Sequence, residues 1–282
     1  MSQIAFTKLQ ALGNDFVLID ARLSAVNLSL SQRQRLGNRR LGIGYDQLLL
    51  LQAGKSADSL CSVVIFNQDG SRAEQCGNGM RAVGRWLQIQ GELIDHGWID
   101  SDAGRIELCL DGEENLSTSL PGPSFDPAAA GFDGAARWQE PFEGRQLDFA
   151  VVSMGNPHLV IIDPKGPSAE ALAAHGRRFS PPGAFRQGSN VNLACAHDRQ
   201  HIELQVYERG VGPTQACGSG ACATAALMIA EGLVDSPVCV SQPGGSLVID
   251  WQPNARWIRV QGPASRVFDG QFDLLETHQD HD

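Results

Sequence analysis

Basic residues are in the minority in this chain of 282 residues, since 22 lysines and arginines face 32 aspartates and glutamates, a formal net charge of −10. Such a chain lacks the basic stripe that non-specific nucleic-acid binding requires, so no nucleic-acid partner is expected. It also lacks a run of eighteen apolar residues, and its first residues lack the basic and then apolar pattern of a leader. We therefore expect a soluble, cytoplasmic protein without a membrane partner.

The seven cysteines lack the spacing of a disulfide framework, and no CxxC pair is present. A reducing compartment suits such a chain better than an oxidising one. Four of the cysteines are interpreted as small buried side chains in or beside strand-like runs, namely Cys61, Cys109, Cys195 and Cys239.

Two further cysteines stand before similar turns. The stretches EQCGNGMRA (74–82) and TQACGSGACA (214–223) each place a cysteine before a Gly-x-Gly turn that opens a run of helix-forming residues. Cys76 and Cys217 are 217 − 76 = 141 residues apart, which is half of the 282-residue chain. This spacing suggests an internal duplication.

Other landmarks recur at 140 to 142 residues, as a duplication requires. They are Gly13-Asn14 with Gly155-Asn156, Asn67 with Glu208, Gly91 with Gly232, Gly104 with Gly245, and Gly122-Pro123 with Gly262-Pro263. We infer two homologous α/β halves. The predicted halves are residues 1–123 and 145–275, with a linker at 124–144 and a tail at 276–282.

Apolar periodicity predicts a similar order of elements in both halves. Strands are expected at 4–9, 16–19, 48–51, 63–66, 105–110, 116–120, 147–152, 159–162, 190–193, 202–207, 238–240, 247–249 and 257–260. Helices are expected at 31–40, from Cys76 to Gly91, at 168–175, and from Cys217 to Gly232.

A thiol at a helix N-terminus is suited to acid/base chemistry. The helix dipole favours an anion there by roughly 0.3 to 1 kcal/mol when exposed and by up to about 2 kcal/mol when partly buried, so shelter from water matters. The free backbone N–H groups of Gly77, Asn78, Gly218 and Ser219 could cradle a carboxylate. With one thiolate and one thiol on opposite faces of an α-carbon, a proton could be removed and replaced with inversion.

Other interpretations stay open for each feature alone. A cysteine before a helix is more often a packed small residue, and the two cysteines could instead form a disulfide. Residues 218–223 match GxGxxA, a weak dinucleotide fingerprint without a strand directly before it. A metal site has little support, because Cys217 and Cys222 are five residues apart without a histidine at ligand spacing.

Nine motifs, in order, resemble diaminopimelate epimerase over nearly the whole chain. They are GNDF (13–16), GYDQ (44–47), FN with DGS (66–71), QCGNG (75–79), GNPH (155–158), NVN (190–192), YERG (207–210), ACGSG (216–220) and PGG (243–245). The resemblance implies an α/β (α+β) fold of two pseudo-symmetric domains, each a curved, mostly antiparallel sheet around a central helix, with the active site in the cleft between them. It also implies an isomerase, without PLP, other cofactor or metal, that epimerises LL-diaminopimelate to the meso form in lysine and peptidoglycan-precursor biosynthesis.

The resemblance also implies residue roles. Cys76 and Cys217 would be the catalytic thiols. The reacting end of the substrate would be held by Gly77, Asn78, Gly218 and Ser219 at its α-carboxylate and by Glu208 at its α-ammonium. The distal end would be bound by Asn67, Asn156, Asn190 and Arg209, with Asn14 and Gln47 lining the pocket and His158 in support. The expected partners are the small-molecule substrate and a second copy in a homodimer, although the sequence does not fix the oligomeric state.

Two other functions compete with this one. A two-thiol isomerase acting on a ring, such as a proline racemase-like enzyme, would need no second amino-acid head, and Arg209 with the asparagines argues against it. A protein that only binds amino acids would need neither Cys76 nor Cys217. One departure from the family pattern is Pro213, where many relatives have glutamate, and it removes no group with an assigned role.

Overall fold

The structure, a computed structural model, describes residues 3–73, 76–112 and 114–273. The chain forms two compact units, one made of residues up to Thr118 together with those from Pro263 onward, the other of Ser119–Gly262. The predicted tail at 276–282 lies outside the described residues. Within the described ranges, no helix has both the length and the apolar character needed to span a membrane.

The first unit is a sheet with two helices. Its strands are β1 (Gln3–Ala11), β2 (Asn14–Asp20), β3 (Gln47–Gln52), β4 (Ser59–Asn67), β5 (Arg72–Ala73), β6 (His96–Ser101), β7 (Gly104–Asp111), β8 (Asn115–Pro121) and, from the chain's end, β18 (Ser265–Asp273). Its helices are α1 (Leu30–Gly37) and α2 (Gly77–Ile89). The pairings run β18-β1-β2-β3-β4-β6-β7-β8, with β5 on the end of β4.

The second unit repeats this plan. Its strands are β9 (Arg137–Phe142), β10 (Arg145–Ser153), β11 (Pro157–Ile162), β12 (Asn190–Asp198), β13 (His201–Glu208), β14 (Gly212–Thr214), β15 (Val238–Gln242), β16 (Gly245–Asp250) and β17 (Trp257–Pro263). Its helices are a 3₁₀ turn (Pro127–Ala130), α3 (Ala169–Phe179) and α4 (Gly218–Ala230). The pairings run β9-β10-β11-β12-β13-β15-β16-β17, with β14 on β13.

The two units match strand for strand, which confirms the predicted duplication. In each unit the third and fourth strands of the order are parallel, β2 with β3 and β11 with β12, as are the fifth and sixth, β4 with β6 and β13 with β15. The other neighbours in both orders are antiparallel. The predicted mixed α/β class with mostly antiparallel sheets is therefore correct.

The predicted boundaries need two corrections. Strand β18 was placed in the C-terminal half, but it pairs with β1 from Gln3↔Asp273 to Gln10↔Ser265, so it completes the first unit as β9 completes the second. The predicted linker contains the 3₁₀ turn and β9, and it belongs to the second unit. Trp138 and Phe142 of β9 pack on the aromatic core of that unit, which explains why this stretch is ordered structure.

The central helices α2 and α4 are anchored by burial. Met80, Val83 and Leu87 of α2 are fully buried on the sheet of the first unit. Helix α4 is apolar all round, and all residues from Gly220 to Met228 are buried. A helix held in this way has little freedom to slide, so the position of its first residue is fixed by the core.

Close packing of α3 on β13 supplies a stability test. A Cβ on Gly176 of α3 would lie 2.3 Å from Cδ2 of Tyr207 on β13. Overpacking of this kind costs about 1 to 3 kcal/mol, which exceeds the helix-propensity gain of about 1 kcal/mol from alanine. We expect Gly176→Ala to lower the free energy of unfolding in urea by about 1 kcal/mol or more.

The matched control is Gly183→Ala in the loop after α3, where no heavy atom lies within 4 Å of the added Cβ. This variant should stay within about 0.5 kcal/mol of the wild type. Equal losses in the two variants would contradict the inferred contact between α3 and Tyr207.

Candidate active site

Both cysteines of the repeated turns are helix N-caps, as the sequence predicts. Cys76 precedes α2 with φ −151° and ψ 104°, and its Sγ accepts a hydrogen bond from the Gly79 N–H at 3.3 Å. Cys217 precedes α4 with φ −126° and ψ 111°, and its Sγ accepts from the Gly220 N–H at 3.4 Å. A helix cannot pair the N–H groups of its first turn internally, so each thiol lies beside donors suited to an anion.

The two thiols differ in shelter. Cys217 is 6% exposed, whereas Cys76 is half-buried. Both remain partly accessible, unlike Cys222, which lies in the interior of α4 and is fully buried. The effect of a helix dipole on a charged group is larger when water is excluded. Helix α4 should therefore stabilise a negative charge on the Cys217 sulfur more strongly than α2 does on the Cys76 sulfur.

The remaining cysteines are mostly packing residues. Cys61 is fully buried, and burial raises the pKa of its thiol to about 12. Burial also raises the pKa of the Cys195 thiol. Cys109 and Cys239, predicted to be buried, are half-buried instead, because their strands present one face to solvent.

The polar residues assigned to the substrate occupy equivalent places in the two units. Parallel pairing places Phe16 opposite Gln47 and His158 opposite Asn190. Three equivalent pairs follow. Asn14 at the start of β2 corresponds to Asn156 just before β11, and Gln47 and Asn190 begin β3 and β12. Asn67 and Glu208 end β4 and β13. Each set lies in the same unit as its N-capping cysteine.

In the first unit, the Asn14 side chain contacts the Cys76 thiol. Its Oδ1 accepts a hydrogen bond from the Cys76 S–H at 3.9 Å. Gln47 donates from Nε2 to Asn67 Oδ1 at 3.1 Å, so these two amides lie side by side. The Asn78 side chain is buried and accepts from Arg81 at 2.6 Å, so Asn78 can offer a ligand its backbone N–H and not its side chain.

In the second unit, Ser219 connects the thiol with two other predicted residues. Its Oγ lies 3.6 Å from Cys217 Sγ, 3.4 Å from Asn156 Nδ2 and 3.1 Å from His158 Nε2. His158 Nε2 also lies 3.1 Å from Asn156 Oδ1. The structure therefore gathers Asn156, His158 and Ser219 at Cys217.

His158 is a neutral hydrogen-bonding residue near pH 7. It is completely buried, and this burial lowers its pKa to about 4. Asn192 Nδ2 faces the Gly220 carbonyl at 3.3 Å, which can only accept, and the same Nδ2 group donates to His158 Nδ1 at 3.3 Å. Nε2 therefore carries the ring proton and donates to Asn156 Oδ1. His158 is thus a fixed donor toward Asn156.

Asn190 and Arg209 are joined through the main chain. Asn190 Oδ1 accepts from the Arg209 backbone N–H at 2.9 Å, and its Nδ2 donates to the Pro157 carbonyl at 3.3 Å. The Asn190 amide therefore positions the segment that carries Arg209, and a substrate group would have to share these bonds. The guanidinium of Arg209 donates to the Gln187 carbonyl at 3.2 Å.

Three residues that contact the site were not singled out from the sequence. Thr214 donates to Glu208 Oε1 at 2.7 Å, and Gln242 accepts from the Cys217 backbone N–H at 2.8 Å. Asp46 accepts from Asn14 Nδ2 at 2.8 Å. Asp46 lies inside the GYDQ motif and the other two lie next to motifs, but sequence position alone does not show which group each one meets.

Solved structures share this fold. A PhzF-family phenazine biosynthesis protein from Bacillus anthracis matches with a TM-score of 0.69 at 16% identity, covering 97% of this chain and 100% of that chain. A hydroxyproline epimerase from Agrobacterium vitis, solved with trans-4-hydroxy-L-proline, matches with a TM-score of 0.67 at 13% identity, covering 96% and 93%. These similarities establish the two-domain α/β fold class.

Sequence comparisons go further. A family model described as diaminopimelate epimerase matches residues 6–124 and 150–267. A protein of Coxiella burnetii (strain Dugway 5J108-111) named diaminopimelate epimerase is 39% identical over 275 residues, covering 96% of this chain and 99% of that relative. The chain belongs to the diaminopimelate epimerase family, which is a family of isomerases.

Acid pH should weaken the second unit through His158. Its folded pKa, about 4, lies below the ordinary 6.5, so the neutral ring stabilises the fold fully above pH 6.5 and this contribution is lost as the pH falls toward 4. Between pH 8 and pH 5 this group alone should remove about 2 kcal/mol from the free energy of unfolding.

Urea unfolding at both pH values checks this expectation by comparing the wild type with His158→Gln, which keeps hydrogen-bonding capacity but cannot titrate. The variant should lose about 2 kcal/mol less stability than the wild type on acidification. His175, whose pKa burial also lowers, is common to both proteins and does not enter the difference. Parallel pH dependences would contradict the assignment.

Proposed function

We propose that this chain interconverts LL-diaminopimelate and meso-diaminopimelate, in lysine and peptidoglycan-precursor biosynthesis, with Cys76 and Cys217 as its acid/base pair. The observation that carries the proposal is that both cysteines cap a central helix at equivalent positions of two homologous units. Membership in the diaminopimelate epimerase family supports the substrate.

The reaction follows from the chemistry of two thiols. One cysteine, as thiolate, takes the α-proton. The C–H electron pair then delocalises onto the α-carboxylate, and the S–H of the other cysteine returns a proton to the opposite face. Backbone N–H groups of Gly77 and Asn78, and of Gly218 and Ser219, would stabilise the charge on that carboxylate. No electron is transferred, so the proposed step needs no redox cofactor. In place of the electron sink that PLP would supply, the carboxylate and these N–H groups would hold the developing negative charge.

Binding of the rest of the substrate is assigned to the polar side chains. The Glu208 carboxylate, held on one oxygen by Thr214, suits the α-ammonium group. Arg209 can pair with the distal carboxylate through two N–H groups. The amides of Asn14, Gln47, Asn67 and Asn156 offer donors and acceptors to the distal amino-acid group. Asn190 contributes by fixing the Arg209 backbone.

A cytoplasmic homodimer that works without metal or cofactor completes the proposal. Sedimentation equilibrium gives the assembly directly, and turnover that survives dialysis against a chelator gives the metal independence. In the described residues, no three His, Cys, Asp or Glu side chains are grouped as metal ligands.

Deuterium uptake is the decisive measurement of activity. The reduced protein is incubated with LL-diaminopimelate in heavy water, and we expect deuterium at the α-carbon together with meso product. Removing either thiol should slow epimerisation by about 100-fold or more, since a positioned acid or base contributes about 10² to 10⁴.

Cys76→Ala and Cys217→Ala are compared with Cys239→Ala, which removes a half-buried thiol on β15. The control should keep the wild-type rate, and the first two variants should still bind substrate within about tenfold, because the thiols act on the reacting carbon. Binding without turnover in the wild type would instead identify an amino-acid-binding protein.

Cyclic amino acids test the nearest rival. The hydroxyproline epimerase from Agrobacterium vitis has the same fold, so the fold alone does not separate a ring substrate from an open one. We expect no deuterium uptake into proline or hydroxyproline. Uptake into these substrates and none into diaminopimelate would overturn the proposed substrate while leaving the two-thiol chemistry intact.

A further inference from the structure

Asp46 determines which end of the Asn14 amide faces Cys76. Its Oδ2 accepts from Asn14 Nδ2 at 2.8 Å and from the Asp15 backbone N–H at 3.1 Å. An ionised carboxylate can only accept, so Nδ2 has to point to Asp46. The amide oxygen is thereby turned to the other side, where it accepts from the Cys76 S–H at 3.9 Å.

The carboxylate of Asp46 is held in place by a balanced network. The Asp46 backbone N–H donates to Asp15 Oδ1 at 2.9 Å, so the two aspartates clamp the starts of β2 and β3 to each other. Arg39 binds Asp46 at 2.8 Å and Asp15 at 2.7 Å, and Lys8 binds Asp15 at 2.6 Å. Arg39 and Lys8 thus balance the charges of the two aspartates. The Arg39–Asp46 pair is exposed and adds little to the position of Asp46, which is set by its bonds to the Asp15 backbone N–H and to Asn14.

In the second unit the equivalent amide is that of Asn156, and it is held in the opposite orientation. Ser189, which precedes Asn190 as Asp46 precedes Gln47, donates to the Phe179 carbonyl at 3.2 Å. His158 instead holds Asn156 by its oxygen at 3.1 Å, which turns Nδ2 toward Ser219, the neighbour of Cys217. The two units thus present opposite ends of an equivalent amide toward the thiol side.

We infer that Asp46 is a positioning residue for Cys76: by orienting the Asn14 amide, it keeps a hydrogen-bond acceptor on this thiol and so holds Cys76 as S–H in the resting enzyme. In the second unit the equivalent amide, that of Asn156, directs its Nδ2 to Ser219 Oγ at 3.4 Å, so it is Ser219 that lies beside Cys217. The inference rests on the proposed function for the catalytic part played by Cys76, but its test does not.

The test is the alkylation rate of each thiol in Asp46→Ala. Without the carboxylate the Asn14 amide can rotate and offer N–H to the sulfur, which favours the reactive thiolate. With iodoacetamide at pH 7, followed by peptide mass spectrometry, we expect Cys76 to react about fivefold faster, the effect of one hydrogen bond. Cys217, measured in the same molecules, should be unchanged, as should the limiting Cys76 rate at high pH, where every thiol is ionised.

Two further variants separate positioning from loss of structure. Asp46→Ala removes both the ion pair with Arg39 and the bond to Asn14. Arg39→Ala removes only the ion pair from Asp46 and leaves the Asp46–Asn14 bond, so Cys76 should keep its wild-type rate. In an Asn14→Ala background, Asp46→Ala should have no further effect, because its route to the thiol is gone. A faster Cys76 in Arg39→Ala, or an undiminished effect in the double variant, would overturn the inference.

Failure of the inference is distinguishable from failure of the proposed function. Alkylation needs no substrate, whereas deuterium uptake by the wild type tests the function alone. If Asp46→Ala does not fold, the wild-type Asn14 side-chain amide is followed by nuclear magnetic resonance, with Asn14→Ala for its assignment. Protection of that amide from solvent exchange is expected, and exchange as fast as in an exposed asparagine would overturn the inference.

Discussion

The hydrogen bond from the first turn of each central helix to its own N-cap sulfur is the constraint on which the site depends. The Gly79 and Gly220 N–H groups hold Sγ of Cys76 and Cys217 at 3.3 and 3.4 Å. Because α2 and α4 are fixed by buried side chains, these bonds fix the two sulfur atoms relative to the cores of their own units. Glycine at position 220 also lets α4 lie close to the sheet, since a Cβ there would lie 3.1 Å from both Asn192 Oδ1 on β12 and Val206 Cγ2 on β13.

The duplication places side chains at equivalent positions of the two units, and sequence divergence gives these positions different chemical groups. The strand ends that carry Asn67 and Glu208 are equivalent, yet one side chain is a neutral amide and the other a carboxylate. Phe16 and His158 are likewise equivalent, and only the histidine can hold the neighbouring asparagine. Each unit therefore places different polar groups at the positions equivalent to those of the other, which suits the proposed substrate with its one reacting and one distal end.

The sequence predicted the parts of the structure that local spacing encodes. Cysteine before Gly-x-Gly marks a helix start within a few residues, and the glycines at Gly91 and Gly232 do adopt positive φ at the two helix ends. Strand β18 escaped prediction because its partner β1 lies at the other end of the chain and most of its residues are exposed, so no burial pattern marks it. The contact of Gln242 with Cys217 was missed for the same reason, since it joins two elements through the fold.

Neutral His158 limits how protons can move at Cys217. Its Nε2–H is directed to Asn156, its Nδ1 accepts from Asn192, and complete burial makes the charged ring costly. A proton leaving Cys217 near neutral pH therefore finds no base in this ring, even though Ser219 connects the two side chains. The Gly220 N–H, the Ser219 hydroxyl and the N-terminus of α4 lie beside the sulfur, and these donors can stabilise a negative charge on it without accepting its proton. His158 therefore positions the Asn156 side chain, and in the proposed reaction the acid and the base are the two sulfur atoms.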